Sequence, residues 1–212
     1  MNKSFLSIET SLNRIFLVLY CKGKLYSKNK ILKNSIEVDI NHMLRQILNI
    51  AKINFSDLEN ILVSIGPGSY TGTRVGIATA KAISVSIKKP ILSYTNFEAI
   101  YYQGLINTYI NKNSLSGVLI KANKSEFYYQ DVKREKFGNI KVLKMEDIKK
   151  NFLKKYKLGN FKGAAQNQNY HFCLPKKEAI LRIFLKNFIS IEKRRYKEVV
   201  PLYLKGHYAE KI

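Results

Sequence analysis

Residues 66–81 read Gly-Pro-Gly-Ser-Tyr-Thr-Gly-Thr-Arg-Val-Gly-Ile-Ala-Thr-Ala-Lys. The run follows an apolar, strand-like segment, Asn60 to Ile65, and opens a helical one from about Tyr70 to Ile87. A strand that turns through glycines into a helix is a unit of α/β architecture, and the N–H groups at such a helix start can hold an anion. The pattern is not a Walker A loop, because no Lys-Ser or Lys-Thr follows the last glycine. It is not the dinucleotide GxGxxG pattern either, because Thr71 stands three residues after Gly68. The helix has a second property. Gly68, Gly72, Gly76 and Ala80 recur every four residues and leave one face almost without side chains. A glycine inside a helix costs about 1 kcal/mol relative to Ala. Close approach of another backbone is the natural offset. The spacing leaves two partners open: the helix expected at residues 34–52, or a helix of another chain.

Strand and helix patterns alternate on both sides of this segment. Phe5 to Glu9, Arg14 to Cys21 and Lys24 to Ile31 read as three strands, the last two joined by a tight turn at Lys22-Gly23. Ile36, Ile40, Met43, Leu44, Ile47, Leu48 and Ala51 then fall on one face of a helix capped at Asn34 or Ser35. Ile91 to Ser93 is a short strand, and Thr95 caps a third helix running to Leu105. The order β-β-β-α-β-α-β-α predicts a mixed sheet with helices packed on it. Residues 107–116 are polar and read as a link. Beyond them Gly117 to Ala122 and Glu126 to Lys133 form an expected strand pair, with a further strand at Ile140 to Leu143. Met145 to Lys155 and Lys176 to Ile189 read as helices, and Val199 to Leu204 as an extended tail. No solenoid repeat or low-complexity tract is visible.

The chain has 212 residues, 46% of them apolar, so it can bury a core and is not a disordered polymer. Its longest apolar run, Ile15 to Cys21, is too short to span a bilayer, and the start lacks the apolar segment of a signal peptide. Cys21 and Cys173 make no disulfide scaffold and no CxxC pair, which suits a reducing, cytoplasmic setting. The net charge is +22. Residues 1–110 hold 13 basic and 6 acidic side chains, and residues 111–212 hold 24 and 9, so the second half carries +15. Such an excess suggests a polyanionic partner. A lysine-rich coding bias gives the same total without one, since 30 of the 37 basic residues are Lys.

The segment Gly66 to Ser84 closely resembles the signature of the bacterial TsaB (YeaZ) family, G-P-G-S-[FY]-T-G-x-R-[IV]-G-x-x-x-[AG]-[KQ]. Ile8-Glu9-Thr10-Ser11 resembles that family's first strand, with Glu9 where Asp is usual. Lys121 to Tyr128 is similar to its D-A-R-x-x-E-[VF]-Y strand, with Lys121 and Asn123 departing from the Asp and Arg. Pro201-Leu202-Tyr203-Leu204-Lys205 is similar to its tail. The resemblance implies an actin-like ATPase (ASKHA) α/β fold of two lobes, divided here at 1–107 and 108–212. The first would carry the dimerisation helices, and the second would be the more basic. It implies a non-catalytic subunit, paired with the catalytic paralog TsaD and the ATPase TsaE, that helps place N6-threonylcarbamoyladenosine at position 37 of tRNAs reading codons that start with A. The implied partners are these two proteins, tRNA through the complex, or a second copy of the chain. ATP, where used, would be bound mainly by the partner.

The expected pairing residues are Gly72, Arg74, Val75, Gly76, Thr79 and Ala80 on the second helix, with Ile40, Met43, Leu44 and Ile47 on the first. On that reading Gly76→Leu blocks pairing and leaves the monomer folded. The candidate nucleotide-binding residues are Glu9, Thr10, Ser11, Gly66 and Gly68, although a turn cap is the favoured role of Glu9. No catalytic residue and no metal set is expected. His42, His171 and His207 form no i, i+4 pair, and no Ser sits in a GxSxG elbow. The alternative is a stand-alone actin-like kinase or hydrolase, or a metallopeptidase-like enzyme.

Overall fold

Alternation along the strands decides which side chains meet. The computed structural model describes residues 4–32, 35–144, 146–148, 156–161, 170–191 and 198–204. β1 (Phe5–Glu9), β2 (Arg14–Cys21) and β3 (Lys24–Ile31) form an antiparallel meander, turned at Lys22 and Gly23. β4 (Asn60–Ser64) and β5 (Ile91–Tyr94) extend it in parallel beyond β1, giving the order β3-β2-β1-β4-β5. Leu6, Ile8, Ile15, Leu17, Leu19, Ile61 and Val63 share one core with α1 (Ile36–Ala51) and α2 (Tyr70–Ile87). Phe5, Phe16, Val18 and Leu62, the alternate positions, belong to a second core on the other face. β2 reads as a near-continuous apolar run because both of its faces are covered.

The second half repeats the plan. β6 (Ser116–Lys121), β7 (Glu126–Lys133) and β8 (Lys136–Lys144) are an antiparallel meander, and β9 (Tyr156–Gly159) and β10 (Tyr170–Phe172) add in parallel. The order β8-β7-β6-β9-β10 matches that of the first sheet strand for strand. Two helices, α3 (Asn96–Ile106) and α4 (Lys177–Ile191), lie between the sheets. Phe97, Ile100, Tyr101, Ile180 and Phe184 fill a core that runs from Phe5 and Val18 of one sheet to Val118, Ile120 and Leu158 of the other. Each such side chain contributes about 1.5–3 kcal/mol on burial. This is the two-lobed actin-like α/β fold.

Several boundaries differ from expectation. β8 is nine residues long where a four-residue strand was expected at 140–143, and β9 and β10 have no counterpart in the reading of the sequence. They are short, flanked by lysines and polar residues, and gain strand geometry only by pairing with β6 and with each other. Residues 146–148 are helical, whereas 149–155 of the expected helix lie outside the described residues. Ser35 is the N-cap of α1, but its hydroxyl donates to Glu37 rather than capping the helix. No helix among the described residues is long and apolar enough to cross a membrane.

The larger correction concerns the small-residue face. A Cβ on Gly72 would lie 2.1 Å from the carbonyl oxygen of Thr10, one on Gly68 2.4 Å from that of Ser11, and one on Gly76 2.3 Å from Thr10 Oγ1. The foreign backbone that this face was expected to receive is therefore the chain's own turn between β1 and β2. Ala80 is buried in the α1/α2 core. Ile40, Met43, Leu44 and Ile47 are buried there too, so these four hold α1 to its sheet and are not free to meet a partner. Gly76→Leu would therefore damage the monomer as well.

Candidate functional site

Two features converge on the start of α2: the turn that the glycines press against, and the outward face of the helix.

Glu9 ends β1, and the chain folds back over it. Its Oε1 accepts from the Ser11 N–H at 2.6 Å, the Leu12 N–H at 2.9 Å and the Ser11 hydroxyl at 3.0 Å. Its Oε2 accepts from Arg14 Nε at 3.2 Å, and both side chains are buried. Arg14 also donates to the carbonyl of Pro175 at 2.9 Å, which ties the first lobe to the segment before α4. The Thr10 hydroxyl donates to the Gly72 carbonyl at 2.6 Å, and the Ser69 N–H donates to the Ser11 carbonyl at 2.8 Å. Asn96, at the start of α3, completes the knot. Its amide donates to Ser11 Oγ at 2.7 Å and to the Pro67 carbonyl at 2.8 Å, and its oxygen accepts from Ser64 Oγ at 2.7 Å.

Glu9, Thr10, Ser11, Gly66 and Gly68, the nucleotide candidates, thus come together in space, but their polar atoms are turned on one another. A carboxylate with four donors already in place is poorly suited to hold a Mg²⁺·phosphate group, and the closeness of Gly68 and Gly72 to residues 10–11 leaves no room for a phosphate between them. These residues do not fit the nucleotide that an actin-like fold implies. Burial and the nearby Glu9 charge push the Tyr94 hydroxyl upward, and that group meets Ser7 Oγ at 3.1 Å.

The remaining chemistry is equally enclosed. Burial pushes the Cys173 thiol up to about 12, and its Sγ faces the carbonyl of Ile100. His171 stacks on Tyr109, rings 4.5 Å apart, so Cys173 and His171 form no nucleophile pair. Among the described residues no three His, Cys, Asp or Glu side chains cluster as metal ligands.

The outward face of α2 is different. Val75, Ala78, Ala82 and Val85 fall on one helical stripe, offset from the glycines, with Val85 77% exposed and Ala78 and Ala82 exposed. Thr79 is half-buried beside it. On α1, Val38 is 71% and Ile50 56% exposed. Of the expected pairing residues, Arg74, Val75 and Thr79 therefore stay at or near the surface. Arg74 lies 3.6 Å over the Tyr70 ring and donates to Tyr203 Oη at 2.9 Å, so it clasps the tail to the helix. Ala78, Ala82, Val85, Val38 and Ile50 were missed. The three on α2 are signalled by the i, i+3, i+7, i+10 spacing from Val75, which the glycine pattern beside it outweighs, whereas Val38 and Ile50 stand outside the apolar face of α1 and carry no such pattern.

Between the lobes lies a cleft of about 540 Å³, walled by Ser11–Arg14, Asn29 and Ser69 on one side and by Lys121–Asn123, Asn160 and Phe172 on the other. Lys121 reaches over the Phe161 ring, while Asn123 accepts from the Ser125 and Glu126 N–H groups and so closes its own turn.

A profile of the family described as TsaD, tRNA N6-adenosine threonylcarbamoyltransferase, matches residues 30–192. The chain is 31% identical over 165 residues to the tRNA threonylcarbamoyladenosine biosynthesis protein TsaB of Buchnera aphidicola subsp. Schizaphis graminum, covering 74% of this chain and 77% of that one. It is 30% identical to the TsaB of B. aphidicola subsp. Acyrthosiphon pisum, across 64% of this chain and 60% of that one. In structure it is similar to YeaZ from Pseudomonas aeruginosa, with a TM-score of 0.74 and 18% identity, over 95% of this chain and all of the other.

Proposed function

Because this chain belongs to the TsaB (YeaZ) family of tRNA threonylcarbamoyladenosine biosynthesis proteins, we propose that it is the non-catalytic subunit of the assembly that forms N6-threonylcarbamoyladenosine at position 37 of tRNA. It pairs with the catalytic paralog TsaD and works beside the ATPase TsaE, in the cytoplasm. Nucleotide in that assembly is held mainly by the partners. The observation that carries the non-catalytic part is the Glu9 turn. The one carboxylate at the end of β1 is spent on the Ser11 and Leu12 N–H groups and on Arg14. A side chain engaged in this way holds a turn closed and is not poised for chemistry.

The pairing surface of this proposal is the outward stripe of α2. Small side chains at 78 and 82 let a partner helix approach, and Val75 and Val85 on the same stripe supply apolar area whose burial drives association. The same surface on two copies would make a homodimer when the paralog is absent.

The test is copurification of the tagged chain with a TsaD partner, with and without Ala82→Arg, alongside the modified nucleoside content of tRNA in cells that depend on this chain. Ala82 is exposed, so the variant is expected to fold normally, lose the partner and lower the modification. A variant that keeps both would remove this surface from the proposal. ATP turnover by the isolated wild-type chain that a folded Glu9→Gln variant loses would remove the non-catalytic role.

A further inference from the structure

The sequence has no acidic residue between Glu59 and Glu98, and that span holds all of α2 and four cations, Arg74, Lys81, Lys88 and Lys89. The two carboxylates that bound it are engaged elsewhere. Glu59 pairs with Lys89 at 3.0 Å, and Glu98 accepts from the Thr95 N–H at 2.7 Å. The other three cations follow the outward stripe. Arg74 and Lys81 stand seven residues apart on one edge of it, and Lys88 follows seven residues on, in the C-cap. Lys81 neighbours Ala78 and Val85, three and four residues away on the same face. All three cations are exposed. Arg74 already spends Nε on Tyr203 and its planar face on Tyr70. Among the described residues, Lys81 and Lys88 have neither a side-chain hydrogen bond nor an ion pair. Two free ammonium groups thus border the strip of Ala78, Ala82 and Val85, while the opposite edge, with Val75, Thr79 and Ser86, is uncharged.

We propose that this edge selects the occupant of the outward face: a helix of a different chain that carries carboxylates one heptad apart, in preference to a second copy of this chain. The inference rests on the proposed pairing surface and names what that surface recognises. Charges that border an apolar helix contact set partner choice and orientation more than bulk affinity. A carboxylate row laid along the edge meets Lys81 and Lys88 one for one. A second copy cannot supply that row from α2, which has no carboxylate. Nor does α1 supply it, since its Glu37 and Asp39 lie in the first turn and are held by Ser35 and Lys30. Two α2 helices packed antiparallel about a twofold axis put like edges together. With that axis at the level of Ala78 and Ala82, the two copies of Lys81 stand side by side, and their repulsion opposes self-association.

The experiment follows two assemblies of the full-length chain at about 0.05 M and about 0.5 M NaCl. The chain alone is measured by sedimentation velocity, and the chain with the TsaD protein of the same organism by surface plasmon resonance. The complex is expected to associate about tenfold more slowly at the higher salt, because screening removes the steering. Self-association of the chain alone should strengthen about threefold as the repulsion is screened. Lys81→Gln with Lys88→Gln should weaken the complex about fivefold at low salt, within the range of two exposed ion pairs, and strengthen self-association about threefold. Lys81→Gln alone should move both the same way by less. Lys81→Arg with Lys88→Arg keeps the charge and should hold the complex together. Lys141→Gln with Lys144→Gln on β8 makes the same change of charge away from the face and should shift neither assembly by more than about twofold. All four lysines are exposed, so these variants are expected to fold. The proposal is overturned if the double glutamine variant pairs with TsaD as tightly as the wild type. It is overturned equally by a tight low-salt dimer of the wild type that the glutamines do not strengthen, or by β8 variants that shift both assemblies as far. Ala82→Arg separates this inference from the one it rests on. If that variant abolishes pairing while the lysine variants leave it intact, the surface stands and its charge preference falls; if none of them touches pairing, the surface falls too.

Discussion

Helix α2 carries two stripes of small residues, and they do opposite things. Gly72 and Gly76, with Gly68 in the turn just before the helix, face inward and touch the backbone and side chains of Thr10 and Ser11. Ala78, Ala82 and Val85 face outward, with Val75 half-buried at the edge of the core. Both stripes obey helical spacing, and both could admit a neighbouring backbone. What separates them is that the first already has its neighbour within the chain. Small-residue spacing in a helix thus reports close packing but does not report whose backbone is packed. The sharpest way to break the comparison is Gly72→Leu. Its Cβ would sit 2.1 Å from a backbone oxygen in a strand turn fixed by Glu9, with no flexible side chain to yield. We expect no folded protein, as judged by circular dichroism and expression in the soluble fraction. A folded Gly72→Leu variant that merely fails to pair would restore the glycines to the partner interface.

The turn against which those glycines rest offers the next largest effect. Glu9→Gln leaves Arg14 buried without its counter-charge and replaces a charged acceptor of four hydrogen bonds with a neutral one. Breaking a buried ion pair from one side typically costs about 3–5 kcal/mol, and urea denaturation should find a loss of that order. A loss under about 1 kcal/mol would mean that the turn does not depend on the carboxylate charge. Below that comes Gly76→Ala. Its methyl group collides mainly with Thr10 Oγ1, a side-chain atom, and overpacking of this kind costs about 1–3 kcal/mol. In a Thr10→Ala background the collision is gone, so the two substitutions should couple by about 1 kcal/mol or more in a double-mutant cycle. Additive effects would show that the contact is not the one that makes Gly76 necessary.

Most of the first lobe was legible because its elements follow local rules. The seven apolar positions from Ile36 to Ala51 fit one helical face, and all seven are buried. Thr95 caps α3 through a reciprocal pair with Glu98, as its sequence position suggests. The second lobe was less legible because β9 and β10 are held by pairing partners far along the chain. Lys157 illustrates this. It lies buried in β9, opposite Gly117 and Tyr170, and burial pushes its ammonium down to about 8. A lysine at such a position reads as surface in sequence. The duplication of strand order between the lobes was invisible for the same reason, since it is carried by pairing and not by residue identity. At the site, Glu9, Thr10, Ser11, Gly66 and Gly68 could be grouped from the sequence. That their polar atoms satisfy one another could not, because it depends on Asn96 and Arg14 arriving from other elements.

The smallest effect on the monomer is expected from the outward stripe, and there the sign is informative. Val85 is 77% exposed in the last turn of α2, where burial contributes little. Val85→Lys exchanges a β-branched residue for a better helix former and places a cation near the negative end of the helix dipole. Each change favours the helix by a few tenths of a kcal/mol, so the melting temperature of the isolated chain should hold steady or rise by about 1–2 °C. The same lysine would have to be desolvated on pairing, so complex formation in size-exclusion chromatography should be lost. Monomer stability and pairing therefore move in opposite directions on this face, whereas they fall together for every inward glycine. A Val85→Lys variant that pairs like the wild type would show that the exposed valines lie outside the contact. A variant that fails to fold would show that the two stripes are not energetically separate.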